Sequence, residues 1–430
     1  MATQSHELLE SLFRAAVAAA HPAHCLPAAL PEPPPRGRLV ILAAGKGAGS
    51  LTEVAERHYL ETLPPDRLDG IAVTRHGYGR PTSRIAVVEA GHPVPDAAGL
   101  AGAERTLALA DGAGGDDLVL VLLSGGASAN WIAPAAGLTL AEKQATTRAL
   151  LRSGANIGEI NCVRKHLSRI KGGRLAKRAY PARVVTLAIS DVPGDNPAVI
   201  GSGPTVPDPT TLADARALVG KYRLELPEAV IKALNDPENE SPKPGEPIFA
   251  NNSYRILARP ADALAAAQRR ARAAGYDVVV LGDRLQGEAR DVAAEHARLA
   301  RDYAAQGRRV AILSGGELTV TLRGGGRGGP NQEYALALAY HLGGAQGISA
   351  LAADTDGTDG GRGQADDPAG AFIDDTTLSR AEAAGLDPAA FLADNDSTGF
   401  FNGIGDLFIP GPTFTNVTDF RAILVDRPRI

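Results

Sequence analysis

The chain has 430 residues, 44% of them hydrophobic and 22% charged, with a formal net charge of −5. That length accommodates two domains, and the apolar fraction is that of an ordinary globular core; the acidic balance argues against a general nucleic-acid binder. Two cysteines, Cys25 and Cys162, exclude a disulfide framework and a cysteine zinc site, and no apolar run approaches the ~18 residues of a membrane span.

Ser5 to Ala20, interrupted by Glu7, Glu10 and Arg14, reads as an amphipathic helix and not a signal peptide, so a cytoplasmic protein is expected. Pro31-Glu-Pro-Pro-Pro35 is a stiff link into Leu39-Val-Ile-Leu-Ala-Ala44, a run too short for a helix and typical of a strand buried on both faces. Further strands are expected at Ile71–Thr74, Arg84–Glu89, Leu118–Leu123, Val184–Ile189, Val278–Leu281, Val310–Leu313 and Ile348–Ala353. Helical periodicity separates several of them, at 139–153, 157–179, 260–274 and 288–306, the first opened by the capping box Thr139-Leu-Ala-Glu142. Alternating strands and helices predict an α/β fold with a doubly wound, largely parallel, Rossmann-like sheet. The polar, proline-rich stretch from Asp236 to Pro247 marks a boundary, dividing the chain into 1–240 and 241–430.

Ligands of open α/β sheets bind beyond the carboxyl ends of the strands. Those ends carry Gly45-Lys46-Gly47, Ser124-Gly125-Gly126-Ala127-Ser128, Ser190-Asp191-Val-Pro-Gly-Asp195, Ser314-Gly315-Gly316-Glu317 and Asp354-Thr-Asp356-Gly-Thr-Asp359-Gly360. Glycines with hydroxyls cradle phosphates, and carboxylates hold a Mg²⁺ that bridges them, so the set suits phosphoryl transfer from a nucleotide. Arg164, Lys165, His166, Arg169 and Lys171 form a charge run that reads either as a solvated helix face or as an electropositive wall for a triphosphate. The loop Arg323-Gly-Gly-Gly-Arg327-Gly-Gly-Pro-Asn331 precedes a helix, where an arginine suits bidentate capture of a carboxylate or phosphate.

Lys46 within Ala-Ala-Gly-Lys, Leu123-Ser-Gly-Gly-Ala-Ser128, Val163-Arg-Lys-His-Leu-Ser168, Ser190-Asp-Val-Pro-Gly-Asp195, Gly201-Ser-Gly-Pro-Thr205, Gly328-Gly-Pro-Asn-Gln-Glu333, Asp354-Thr-Asp-Gly357 and Gly411-Pro-Thr-Phe-Thr-Asn416 together resemble the class II glycerate kinase family. That resemblance spans about residues 40 to 422 and implies a C-terminal α/β MOFRL domain with a mixed sheet. It also implies ATP- and Mg²⁺-dependent phosphorylation of D-glycerate at the 2-hydroxyl, in a cleft between the domains. Lys46 and an arginine are implied to contact the acid or the transferred group; where some relatives carry that arginine before Asn-Gln-Glu, this chain has Pro330, so Arg327, or else Arg323, takes the role. Asp191 is expected as general base or Mg²⁺ ligand, with Asp354 and Asp356 as further metal ligands. Ser124, Gly125, Gly126, Ala127, Ser128, Lys165, Gly315, Gly316, Glu317 and Asn331 are expected to bind substrate or nucleotide. A monomer or homodimer is expected. The alternatives are an NAD(P)H-dependent hydroxypyruvate reductase, the label long given to members of this family, and a non-catalytic sensor of small acids or nucleotides. A reductase would have to use the Gly45 turn, an imperfect G-x-G-x-x-G with no acidic residue at the end of a following strand to hold a ribose.

Overall fold

The computed structural model describes residues 2–361, 364 and 366–426. They form two compact units, Cys25–Leu257 and the combination of Met1–His24 with Ala258–Ile430. Set beside the expected division at 240/241, the chain passes between units after Leu257, and its first 24 residues join the second unit. No helix among the described residues is long and apolar enough to cross a membrane.

The first unit is built on a six-stranded sheet: β1 (Leu39–Ala44), β2 (Leu68–Arg75), β3 (Ala86–Ala90), β4 (Leu118–Leu123), β5 (Arg183–Ile189) and β6 (Ser253–Ala258). Their order is β3-β2-β1-β4-β5-β6, and the pairings from β3 through β5 are parallel. Every residue of β1 and β4 is buried, as continuous apolar runs covered on both faces must be. The strand order reverses at β1, which lies between β2 and β4 with Ala44 in register with Val73 and Leu123. The carboxyl ends of β1 and β4 are therefore neighbours, and ligands of such sheets bind at this switch point.

The helix expected over 157–179 is two helices, Ile157–His166 and Arg174–Ala179. Gly172 and Gly173 break it with φ of +60° and +82°, in the left-handed region that a side chain disfavours. The Thr139 capping box forms: Thr139 Oγ1 accepts the Glu142 N–H at 3.2 Å, and Glu142 accepts the Thr139 N–H at 2.8 Å.

The second unit carries a mixed sheet of β7 (Asp277–Leu285), β8 (Val310–Gly316), β9 (Ile348–Asp354), β10 (Gly370–Ile373), β11 (Leu407–Phe408) and β12 (Asp419–Val425), in the order β11-β10-β9-β12-β8-β7. β7 and β8 are parallel, whereas β12 runs antiparallel between β8 and β9. The helix Ala2–Ala20 buries its apolar stripe here, Phe13 meeting Phe408 and Phe420 edge-on at 5.0 and 6.0 Å. Thr415 Oγ1 donates to the Ala20 carbonyl at 2.7 Å.

Candidate active site

In the first unit, the turn after β1 spends its own backbone. Gly45 N–H donates to Val73 O, Lys46 N–H to Gly125 O at 2.8 Å and Ala48 N–H to Gly45 O. Gly47 N–H donates to Ser124 Oγ at 2.8 Å. Four successive amides that a pyrophosphate would need are thus consumed within the fold, and the anion-cradling reading of this backbone fails. Gly45 is obligatory for another reason: its φ is +114°, and a Cβ there would lie 2.4 Å from the Ser124 carbonyl oxygen. What this turn offers a ligand is the side chain of Lys46, half-buried, passing beside Gly126, whose missing Cβ would lie 3.3 Å from Lys46 Cγ and 2.9 Å from the His92 ring.

The turn after β4 is different. Ser124 is buried and holds the Gly47 amide, while the N–H groups of Gly125 and Gly126 have no protein acceptor among the described residues. Gly126, at φ +86°, leads into the single helical turn Ala127–Asn130. Lys46, Ser124, Gly125, Gly126 and Ala127 are therefore brought together, with two amides left to face an anion.

The expected basic helix face is mostly interior. Lys143, Lys165, His166, Lys171 and Arg174 are all buried. Lys165 pairs with Asp208 at 3.4 Å, and Lys143 Nζ caps the helix ahead of it through the Arg164 and Leu167 carbonyls at 2.8 and 2.7 Å. Arg174 donates to the Lys165 carbonyl and is held down to about 10 by burial. His166 lies between the Cys162 carbonyl and Glu240, and burial lowers its pKa. Ser128 sits where Arg164 and Lys171 converge. Asp191, half-buried beyond β5, lies close enough to Tyr254 for its charge to add to the burial that raises the phenol's pKa.

In the second unit, the antiparallel insertion of β12 sets Asp419 in register with both Gly316 and Asp354. Ser314-Gly315-Gly316 is the end of a strand and not a turn into a helix. Arg421 Nη2 takes the carbonyls of Gly315 and Gly316 at 3.0 and 3.2 Å, and Arg421 Nη1 donates to Asp419 at 2.9 Å. Glu317 is exposed.

Asn331 is fully buried near the start of the helix Pro330–Leu342, and its Nδ2 donates to Asp359 at 3.2 Å and to Asp419 at 2.7 Å. Asp359 also accepts the backbone N–H groups of Asn331 and Gln332, capping that helix with a carboxylate. Burial nonetheless pushes the Asp359 carboxyl up to about 7 and raises that of Asp419. Asp354 Oδ1 accepts the Asp356 N–H, and Asp356 Oδ1 accepts the Thr358 N–H at 2.8 Å. Among the described residues no three His, Cys, Asp or Glu side chains are grouped to hold a metal ion.

The glycines of the arginine loop answer to packing. A Cβ on Gly324, Gly326 or Gly328 would lie within 2.3 Å of Asp394, Asp396 or Ser397. Between them Arg327 is exposed, its backbone fastened to Asp396 and Thr398, and Arg323 N–H donates to Asn395.

Asp359 was expected only as one residue of the strand end Asp354–Gly360, and Asp419 and Arg421 were not among the expected site residues. Two charged side chains inside the otherwise apolar Asp-Phe-Arg-Ala-Ile-Leu-Val run were the available signal.

Residues 8–235 match the family described as a domain of unknown function (DUF4147), and residues 310–419 match the MOFRL family. At 47% identity the chain is similar to a putative hydroxypyruvate reductase of Agrobacterium vitis, over 98% of this chain and 94% of that one. At 38% it is similar to a D-glycerate 2-kinase of Thermotoga maritima, over 89% of each. A crystal structure of glycerate kinase from the same organism superposes with a TM-score of 0.85 at 36% identity, covering 98% of this chain and 100% of that one.

Proposed function

We propose that this chain, which belongs to the glycerate kinase family with a MOFRL domain in its C-terminal part, transfers the γ-phosphoryl group of ATP to D-glycerate, at the 2-hydroxyl. The observation that carries this reading is the junction of β1 and β4: the Lys46 side chain beside Gly126, with the Gly125 and Gly126 amides unspent. Phosphoryl transfer needs little covalent chemistry from the protein and depends on cations and amides placed around equatorial oxygens. In our reading Lys46 neutralises the transferred group, and Gly125 and Gly126 supply backbone donors, the Ala127 N–H being held by the Ser124 carbonyl. Asp191 takes the proton of the attacking hydroxyl, or else a place on Mg²⁺. Arg327 is the second cation, and Asn331 holds the carboxylates around it in place.

Mg²⁺ carried on the nucleotide would neutralise phosphate charge. An ion so carried needs only one or two protein carboxylates, for which Asp354 and Asp356 are our candidates. The reductase label of the Agrobacterium relatives has one point in its favour, the Rossmann strand order, but the first turn has already used the amides a dinucleotide would require.

The test is incubation with MgATP and D-glycerate, following ADP release and identifying the product isomer by ³¹P NMR. Parallel reactions contain NADH and hydroxypyruvate. Glycerate-dependent ADP with 2-phosphoglycerate is the expected result. NADH oxidation without ADP release overturns the proposal, and 3-phosphoglycerate overturns its regiochemistry.

A further inference from the structure

Among the described residues of the first unit, Lys171 and Arg164 have no ion-pair partner; nor has the buried Lys143, but its ammonium is taken up by the Arg164 and Leu167 carbonyls. Lys171 is 1% exposed and Arg164 is half-buried, yet among the described residues neither pairs with a carboxylate, unlike Lys165 with its Asp208. Both converge on one hydroxyl: Arg164 Nη2 lies 2.9 Å and Lys171 Nζ 2.5 Å from Ser128 Oγ. Lys171 also donates to the Ser128 carbonyl. Two N–H donors fill both lone pairs of that hydroxyl, so its own hydrogen goes to Ser202 Oγ, 2.9 Å away.

This saturation rules out Ser128 as a nucleophile and leaves the Ser202 hydrogen to donate elsewhere. Ser202 is a non-glycine residue at φ +63°, a strained conformation imposed between Gly201 and Gly203. Of the five N–H groups of Arg164, only two meet protein acceptors among the described residues, the second being Asn161 at 3.5 Å. Burial, then the charges of Arg164 and Lys143, hold the Lys171 ammonium well below the usual lysine range. Buried cations without partners are costly unless something supplies the opposite charge. The same helical turn begins at Gly126, beside Lys46.

We infer that Arg164, backed by Lys171 and flanked by the Ser202 hydroxyl, is a binding subsite for a substrate oxyanion, either the carboxylate of the hydroxy acid or a phosphate of the nucleotide. The inference rests on the proposed kinase reaction for what the substrates are. Lys171 and Ser128 act as positioning residues that orient the guanidinium, and Arg164 makes the contact.

The test compares wild type with Arg164→Ala and Arg164→Lys, measuring KM separately for D-glycerate and ATP, with glycerol as an acceptor lacking the carboxylate. Losing a charge-assisted pair raises one KM about 10- to 100-fold, with partial recovery in the lysine variant. If the carboxylate binds here, the glycerate KM rises while kcat/KM for glycerol stays within about twofold of wild type. If a phosphate binds here, the ATP KM rises and both acceptors lose alike. Unchanged KM values, or a fall in kcat and melting temperature with neither KM moved selectively, overturn the inference. Calorimetric titration of D-glycerate and of ATP reads the same contrast as Kd. Wild-type protein without turnover therefore defeats the kinase reading, whereas equal Kd values in wild type and Arg164→Ala defeat the subsite.

Discussion

Asp359 Oδ1 accepts both the backbone N–H of Asn331, at 3.0 Å, and its side-chain amide, at 3.2 Å. The same amide reaches Asp419, so one neutral side chain separates two buried carboxylates whose charges raise each other's cost. Asn331→Ala leaves both without that donor and is expected to lose about 2–3 kcal/mol of stability in urea unfolding. Asn331→Asp adds a third carboxylate and is expected to lose more at pH 7, with the gap narrowing at pH 5. Wild-type stability in both variants would remove the amide from this role.

Lys46 is held by a backbone whose amides are already used, so its side chain can be removed without unmaking the turn. Lys46→Ala is expected to keep the wild-type circular dichroism and melting temperature while turnover falls by at least about 10²–10³-fold. Near-normal turnover would exclude the lysine from the chemistry.

Gly45→Ala should do the opposite, damaging the scaffold first. Its Cβ would meet the Ser124 carbonyl and hydroxyl at 2.4 and 2.5 Å at a φ that alanine resists. We expect a loss of about 2 kcal/mol or more, read as an earlier unfolding midpoint. An unchanged midpoint would show that the two strand ends move apart freely.

His296 supplies a pH dependence of stability. It is buried, its Nδ1 lies 2.7 Å from the Tyr334 hydroxyl, and burial lowers its pKa from 6.5 to about 4. Between those values the unfolded chain binds the proton and the folded one does not, so stability falls as pH drops from about 6.5 to about 4. The stability difference between wild type and His296→Gln should shrink by about 1.4 kcal/mol per pH unit across that window. Parallel stability curves for the two proteins would show that His296 titrates normally.

The strands β1 and β4, the Thr139 capping box and the alternation that predicts an α/β fold were legible in the sequence. Each is written in neighbouring residues: an apolar run, a Thr and a Glu three apart, a period of two or 3.6. That Lys46 and the Ser124–Ala127 turn lie side by side was legible too, since the topology of a parallel sheet brings such strand ends to one edge. Which amides there are spent was not. Nor was the fate of the basic run, in which Lys165 finds Asp208 and Arg164 finds no carboxylate among the described residues, or the joining of the first helix to residues 258–426. Only the tertiary structure decided these, because they depend on partners such as Ser128 and Ser202, 74 residues apart, or Asn331 and Asp419, 88 apart. A local window sets how each segment folds; whether a buried charge is matched depends on what the rest of the chain packs beside it.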